Sequence, residues 1–509
     1  MAQKTYDIDV LNSIAKRALY FATQMIHIAN HRKDKEKGDP KVGGHQSASS
    51  SCLHLLGALH LAVRSGYDHM AVKPHASPTD HSYNYLLNLL LENENGFTTL
   101  NRLSPELAEK AMHGLRAFSK EGEPVFQSYH SRYDSDHHNF LPSGTVGIPP
   151  VNLGYLALAY RYAKEHGYKV PENAHFWALI GDSEFREGSL YEALPDFAER
   201  EIGNITWIVD YNRQSLDGHR ITNKRLLGHT DDVRLQKTAE ANGWEVIMLK
   251  HGTLRQKLFK KAGGDLFKKF LDEEIEDFEL QALLLIKDKK ELRKEILAKH
   301  PQIKKFVEAV SDDELFESLR NLAGHDFEQI IEALEASKKN KKKPTLIIAH
   351  TVKGWGLSEA AMPGNHSSLI SQEEVDTLMK REGSTQDQPF TKFDEKSKEG
   401  QYLKKRGDEL YKEILKQHEL KDQNQKFFQK ELQKYGQLPN SLDINLKMVS
   451  YPHTQWMLGQ LTAKLTRVAN TTEKDPKPLN DFEKSFKLPS ELFVSMAPDV
   501  GTSTNLNPA

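Results

Sequence analysis

Two short polar segments hold the residues best suited to chemistry. The first is Gly181-Asp182-Ser183-Glu184; the second, about thirty residues on, is Asp210-Tyr211-Asn212-Arg213-Gln214. Asp182 offers a carboxylate and Asn212 a neutral amide oxygen. Such hard donors suit magnesium, which keeps few protein ligands and completes its octahedron with phosphate oxygens and water. A helix starting just after Asp182 would turn backbone N–H groups towards an anion. The spacing points to a magnesium-held diphosphate. It fits equally a helix cap at Asp182 and a turn at Asn212.

Three histidines stand in loops of suggestive composition. His45 sits in the Gly- and Ser-rich run 43–51, ahead of an apolar helix over Cys52–Val63. His75 lies in the proline-bounded loop Lys73–Pro78. His366 follows the Gly- and Pro-containing stretch Ala360–Asn365. Imidazoles stabilise developing charge or move protons near neutral pH. A packed helix terminus, an ordinary turn and a plain surface loop are the structural readings of the same three places. His130, Asp134, Asp136, His137 and His138 crowd one segment, but their spacing matches no standard zinc pattern, so a polar loop is expected.

The elements that must position these residues are legible from hydrophobic runs. Phe176–Ile180 and Ile205–Val209 read as buried strands joined by a crossover helix over Gly188–Glu201, with Pro195 inside it. Strands joined this way run parallel, so both polar tips fall at one sheet edge. Trp244–Leu249 and Pro344–Ala349 read as further strands. A glycine- and proline-rich loop, Pro142–Pro150, precedes a helix over Val151–Ala163. Residues 253–336 read as a helical insert in which Leu266–Phe278 presents a solvated face, and Lys338–Lys343 as a solvated basic connector. After a helical connection over 384–443, a helix at Thr454–Val468 and a strand at Leu492–Met496 are expected before Ala509. The expected fold class is α/β: a doubly wound, mostly parallel sheet with helices on both faces.

The chain has 509 residues, enough for two or more domains. Its 69 basic and 71 acidic side chains give a net charge of −2, which argues against nucleic acid as a partner. A single cysteine, Cys52, fits a reducing cytoplasm. No apolar run approaches the roughly 20 residues that span a bilayer, so no membrane partner is expected.

The GDS…YNRQ pair resembles the thiamine diphosphate fingerprint, with Ser183 in place of a glycine and Tyr211-Asn212 in place of an asparagine pair. With Gln214–Gly218, His350–Gly356 and Gly324-His325-Asp326, the chain more specifically resembles the homodimeric bacterial pyruvate dehydrogenase decarboxylating component, a transketolase-like family. The resemblance implies thiamine diphosphate and Mg2+ as cofactors. Asp182, Asn212 and the main-chain carbonyl of Gln214 would be the metal ligands. Gly144, Thr145, Val146, Gly181, Ser183 and Glu184 would lie along the cofactor, and His45, His75 and His366 would be active-site histidines. It implies decarboxylation of pyruvate or another 2-oxo acid with acetyl transfer to a lipoyl acceptor. It also implies a homodimer or a pairing with a chain that carries the second domain, and docking to a lipoyl acyltransferase. On this reading residues 1–383 form the diphosphate-binding domain, 384–443 a linker and 444–509 the opening of the pyrimidine-binding domain. The family's activating glutamate belongs to that second domain, and no carboxylate after residue 440 has its context. A transketolase acting on sugar phosphates and a non-catalytic cofactor-binding fragment are the alternatives.

Overall fold

The computed structural model describes residues 6–32, 46–94, 97–117, 123–138, 140–215, 218–219, 230–434 and 454–495. His45 therefore lies outside the described residues. The chain divides into two compact units, one of residues 1–159 and 171–417, the other of 160–170 and 418–509.

The larger unit is built on five parallel strands: β1 (His69–Val72), β2 (Phe176–Gly181), β3 (Ile205–Tyr211), β4 (Glu245–Leu249) and β5 (Thr345–His350). Their order across the sheet is β1-β2-β3-β5-β4. The register aligns the carboxyl ends: Gly181 sits opposite Asp210, and Tyr211 opposite His350. Two hydrogen bonds carry the ladder beyond the strands, from the Lys73 amide to Leu179 O at 2.9 Å and from Thr351 N to Tyr211 O at 3.1 Å. The residues just past the strand ends are thus fixed by the sheet itself.

Every residue of β3 and β5 is buried, so these central strands need cover on both faces. On one face Trp177, Leu179, Ile208 and Ile347 join a core with the helix Ile8–Asn30 and with Leu53–Leu61. On the other, Trp207 meets Phe197 of the helix Gly188–Glu199 at 5.9 Å between ring centroids and Trp244 at 4.6 Å. The fold is the α/β class read from the sequence, with a parallel sheet between helices.

Three local expectations are refined or changed. The apolar helix after Cys52 is α-helical over Leu53–Ala58 and widens to a π-turn over Leu59–Val63. In the insert, Phe267, Phe270, Leu271 and Ile275 are buried in a second apolar core, and Phe267 stacks on Phe306 at 4.1 Å. Lys268, Lys269, Glu273 and Glu276 are exposed together with the flanking Leu266 and Phe278, so the charges form the solvated side of a segment whose other side is packed. In the smaller unit Leu492 ends a helix, Lys487–Leu492, instead of opening a strand. That helix packs on Thr454–Asn470, and Lys487 Nζ donates to the terminal carbonyl of Ala469 at 2.6 Å, a local helix-end contact stronger than the short apolar run. No described helix is long and apolar enough to cross a membrane.

Candidate active site

Beyond the carboxyl ends of β1, β2, β3 and β5 lies a cavity of about 410 Å³. Asp182 and Ser183, just after β2, reach it together with Gly181. Asn212 and Gln214 reach it from the turn after β3, and Lys73 and His75 from the loop after β1. Lys353 and His366 come from the segment after β5, and Gly144 and Val146 from the glycine-rich loop. Thr145, between those two, is exposed and does not line the cavity.

The turn after β3 owes its shape to Arg213. This residue has φ of 66°, a left-handed conformation that disfavours any side chain with a Cβ. Its amide donates to Asp182 Oδ2 at 2.7 Å, and its buried guanidinium donates to Thr351 O at 2.6 Å and to His350 Nδ1 at 3.2 Å. Those bonds offset the backbone strain. They tie the polar tips of β2, β3 and β5 together and leave Asn212 and Gln214, on either side of Arg213, at the cavity wall.

Asp210 is the buried hub beneath. Its carboxylate accepts from the Lys73 ammonium, from Ser51 Oγ at 2.5 Å, from the Thr351 hydroxyl and from Asn212 Nδ2 at 3.2 Å. Burial alone would push this carboxyl up. Lys73 and the two hydroxyls outweigh that and hold it below its ordinary value. With Nδ2 anchored on Asp210, the Asn212 amide presents Oδ1 on its other side, where the Gln214 amide donates to it at 3.1 Å. Asp182 and Asn212 thus offer one carboxylate and one oriented amide oxygen at one wall. This hard-oxygen set fits magnesium.

Glu184 lines the cavity but spends both carboxylate oxygens on backbone: Oε1 accepts from Gly147 N and Oε2 from Gly181 N, each at 2.9 Å. It bridges the glycine-rich loop to the end of β2. His75 and His366 are brought together, ring centroids 5.1 Å apart and nearly perpendicular. Tyr129 meets His75 edge-on at 5.5 Å. Lys353 Nζ lies 3.1 Å from His366 Nδ1. Burial, reinforced by Lys73 and opposed by Asp182 and Asp210, pushes the Lys353 ammonium down to about 8. If Lys353 donates that hydrogen bond, neutral His366 carries its proton on Nε2.

Lys73, Asp210, Lys353, Tyr129 and Ser51 are the site residues that motif reasoning did not single out. A charged residue directly following or ending an apolar strand run (Lys73, Asp210) was the available signal. Tyr129 and Ser51 carried none.

The segment 130–138 is the expected polar loop, but largely a buried one. His130, Asp134, Asp136 and His138 are buried. His81 Nδ1 bonds Asp136 Oδ2 at 2.7 Å, Asn84 Nδ2 donates to the same oxygen at 3.0 Å, and His60 Nε2 bonds Asp80 Oδ1 at 2.6 Å. Asp134 accepts the backbone amides of Gln127 and Ser131 at 3.0 and 2.8 Å. His81, Asp134 and Asp136 do converge within 4.8 Å, but these hydrogen bonds already engage them, and they read as a folding network.

Comparisons with known proteins bear on the fold and on the family likeness. A model of the transketolase family's thiamine diphosphate binding domain matches residues 306–439. The pyruvate dehydrogenase E1 component of Cupriavidus necator is 25% identical over 414 residues, covering 78% of this chain and 42% of that protein. Its counterpart from Corynebacterium glutamicum is 26% identical over 348 residues, covering 66% and 34%. The chain therefore spans well under half the length of these relatives. Among solved structures, transketolase from Campylobacter jejuni superposes with a TM-score of 0.54 at 17% identity, covering 90% of this chain and 55% of that one. Transketolase from Leishmania mexicana gives 0.54 at 15% identity, covering 89% and 53%. At such identities the solved structures speak for the fold alone. The fold, the family match and the curated relatives together make this chain similar to the transketolase-like thiamine diphosphate enzymes.

Proposed function

We propose that this chain supplies the diphosphate- and metal-binding part of a thiamine diphosphate- and magnesium-dependent enzyme. Its reaction would be decarboxylation of a 2-oxo acid such as pyruvate, with transfer of the acyl group to a lipoyl acceptor. The observation that carries this reading is the convergence of Asp182, Asn212 and Gln214 with the His75–His366 pair on one cavity at the sheet's carboxyl edge.

In this reading Asp182, the Asn212 amide oxygen and the Gln214 carbonyl hold Mg2+, and through it the diphosphate. When bound, thiamine diphosphate supplies the electron sink that decarboxylation needs. Lys73 and Lys353 add positive charge at the anion. Asp210 is a positioning residue, because it orients Asn212 and holds the Lys73 ammonium. His75 and His366 stabilise the negative charge that develops on the substrate oxygen, and Lys353 relays a proton to His366 Nδ1 across their 3.1 Å contact. Of the cavity carboxylates, Asp182 serves the metal end and Glu184 is committed to two backbone amides. The acid that activates the pyrimidine end is assigned to a second domain of the kind these enzymes carry.

The test supplies pyruvate, thiamine diphosphate, Mg2+ and an artificial electron acceptor to this chain, alone and with a separately expressed second domain. Pyruvate turnover in the mixture supports the reading. Turnover of a ketose phosphate but not pyruvate replaces it with a transketolase. Cofactor binding with turnover of neither substrate reduces it to a cofactor-binding fragment.

A further inference from the structure

A second cavity of about 730 Å³ opens in the same unit and shares no lining residue with the first. Its floor is apolar, with Leu19, Leu53, Val352 and Ala361 all buried. One wall is a flat aromatic pair: the His325 ring stacks on Trp355 at 4.0 Å with 13° between planes. This wall is rigid, because His325 Nε2 accepts the Val352 amide at 2.8 Å.

Charge at this cavity is one-sided. Lys16, Lys287, Arg320 and Arg381 line it, against the single carboxylate of Asp9. Arg381 is paired with Glu382 at 2.8 Å. Arg320 donates to the carbonyls of Phe316, Leu284 and Ile286, which fixes its guanidinium without neutralising it; Glu317 is the acidic group that acts on it. Lys287 is held down by partial burial and by Arg320. Setting Arg381 against Glu382 still leaves three cations facing one carboxylate around a concave apolar floor. A dianion would relieve that imbalance, and a flat ring would cover the His325–Trp355 wall.

We propose that this cavity is a binding site for a small planar ligand carrying a phosphate monoester, its ring against Trp355 and its phosphate between Lys16 and Lys287. The assignment does not depend on the reading of the first cavity. Lys16 lies on the exposed side of the helix Ile8–Asn30, and Lys287 follows the helix Asp277–Leu285, so the cationic mouth is built by two elements that also bound the floor.

The test is calorimetric titration of the full chain with 2-naphthyl phosphate, 2-naphthol and inorganic phosphate. The expected result is one saturable site for 2-naphthyl phosphate, with affinity at least about tenfold above either half-molecule probe. The double variant Lys16→Ala/Lys287→Ala, changed at two exposed positions, should weaken 2-naphthyl phosphate by roughly tenfold or more and leave 2-naphthol unaffected. Trp355→Leu should weaken 2-naphthyl phosphate and leave inorganic phosphate unaffected. Non-saturable binding of 2-naphthyl phosphate, equal affinity in the double lysine variant, or equal affinity of inorganic phosphate alone would each overturn the proposal.

Discussion

The Lys73–Asp210 pair gives the sharpest test of how the site is built. Asp210 is fully buried and Lys73 is 9% exposed, so solvent screens their interaction little. Replacing Lys73 by Met removes the cation and leaves a buried carboxylate with three neutral donors. Breaking one partner of such a pair costs about 3–5 kcal/mol. Asp210→Asn leaves the Lys73 ammonium buried with the Ser51 hydroxyl at 3.2 Å, an amide oxygen and the more distant charge of Asp182, and a loss of similar or somewhat smaller size follows. The double variant Lys73→Met/Asp210→Asn buries no uncompensated charge, so its loss should be smaller than the sum of the single losses by about 2–3 kcal/mol. Urea unfolding at pH 7, followed by intrinsic tryptophan fluorescence, measures all four corners of the cycle. The pH dependence gives a second reading. The Asp210 carboxyl is held below its ordinary value in the fold, so its stabilisation is present above the unfolded-state pKa near 4 and is lost as pH falls through the lower folded-state value. In Lys73→Met that acid-side loss should disappear. Strictly additive losses, or a Lys73→Met cost below about 1 kcal/mol, would refute the view of Asp210 as a charge-balanced hub.

Two further perturbations probe the scaffold. Asp136→Ala removes the acceptor of both His81 and Asn84 in a region closed to water, and should cost about 3 kcal/mol in unfolding free energy, well above the cost at an exposed aspartate such as Asp481. His175 is buried beside Asp68, and burial pulls its imidazole down to about 3. It stays neutral in the fold while the unfolded chain protonates near 6.5, so its contribution is complete above that pH and is lost as pH falls from about 6.5 towards 3. His175→Gln should therefore flatten the stability profile between pH 6.5 and 4 by up to about 1.4 kcal/mol per pH unit relative to the unaltered chain, read from urea midpoints at each pH.

The sequence was most legible where one physical rule dominates. The runs Phe176–Ile180, Ile205–Val209 and Pro344–Ala349 are too apolar for a half-exposed strand, and all three fall in the sheet. A parallel register then forces Asp182, Asn212 and Thr351 to one edge. What stayed hidden depends on distant pairing. The 127–140 segment looks hydrophilic, yet Asp134 and Asp136 are buried because His81, Asn84 and two backbone amides meet them there, and no local pattern encodes those partners. Lys73 and Asp210 read as strand-end polar residues until the β1–β2–β3 register brings them into contact. Leu492–Met496 has a strand-like apolar run, but Lys487 at the carbonyl end of a neighbouring helix holds its start in helical form.

If Asp182 and Asn212 anchor a metal-held diphosphate, cofactor binding must depend on both the metal and the carboxylate. Calorimetric titration with thiamine diphosphate, in Mg2+ and in excess chelator, tests it for the unaltered chain and for Asp182→Ala. Chelation should weaken binding by at least about tenfold in the unaltered chain, and Asp182→Ala should bind as weakly with Mg2+ as without it. Undiminished, still Mg2+-dependent binding in Asp182→Ala would contradict it.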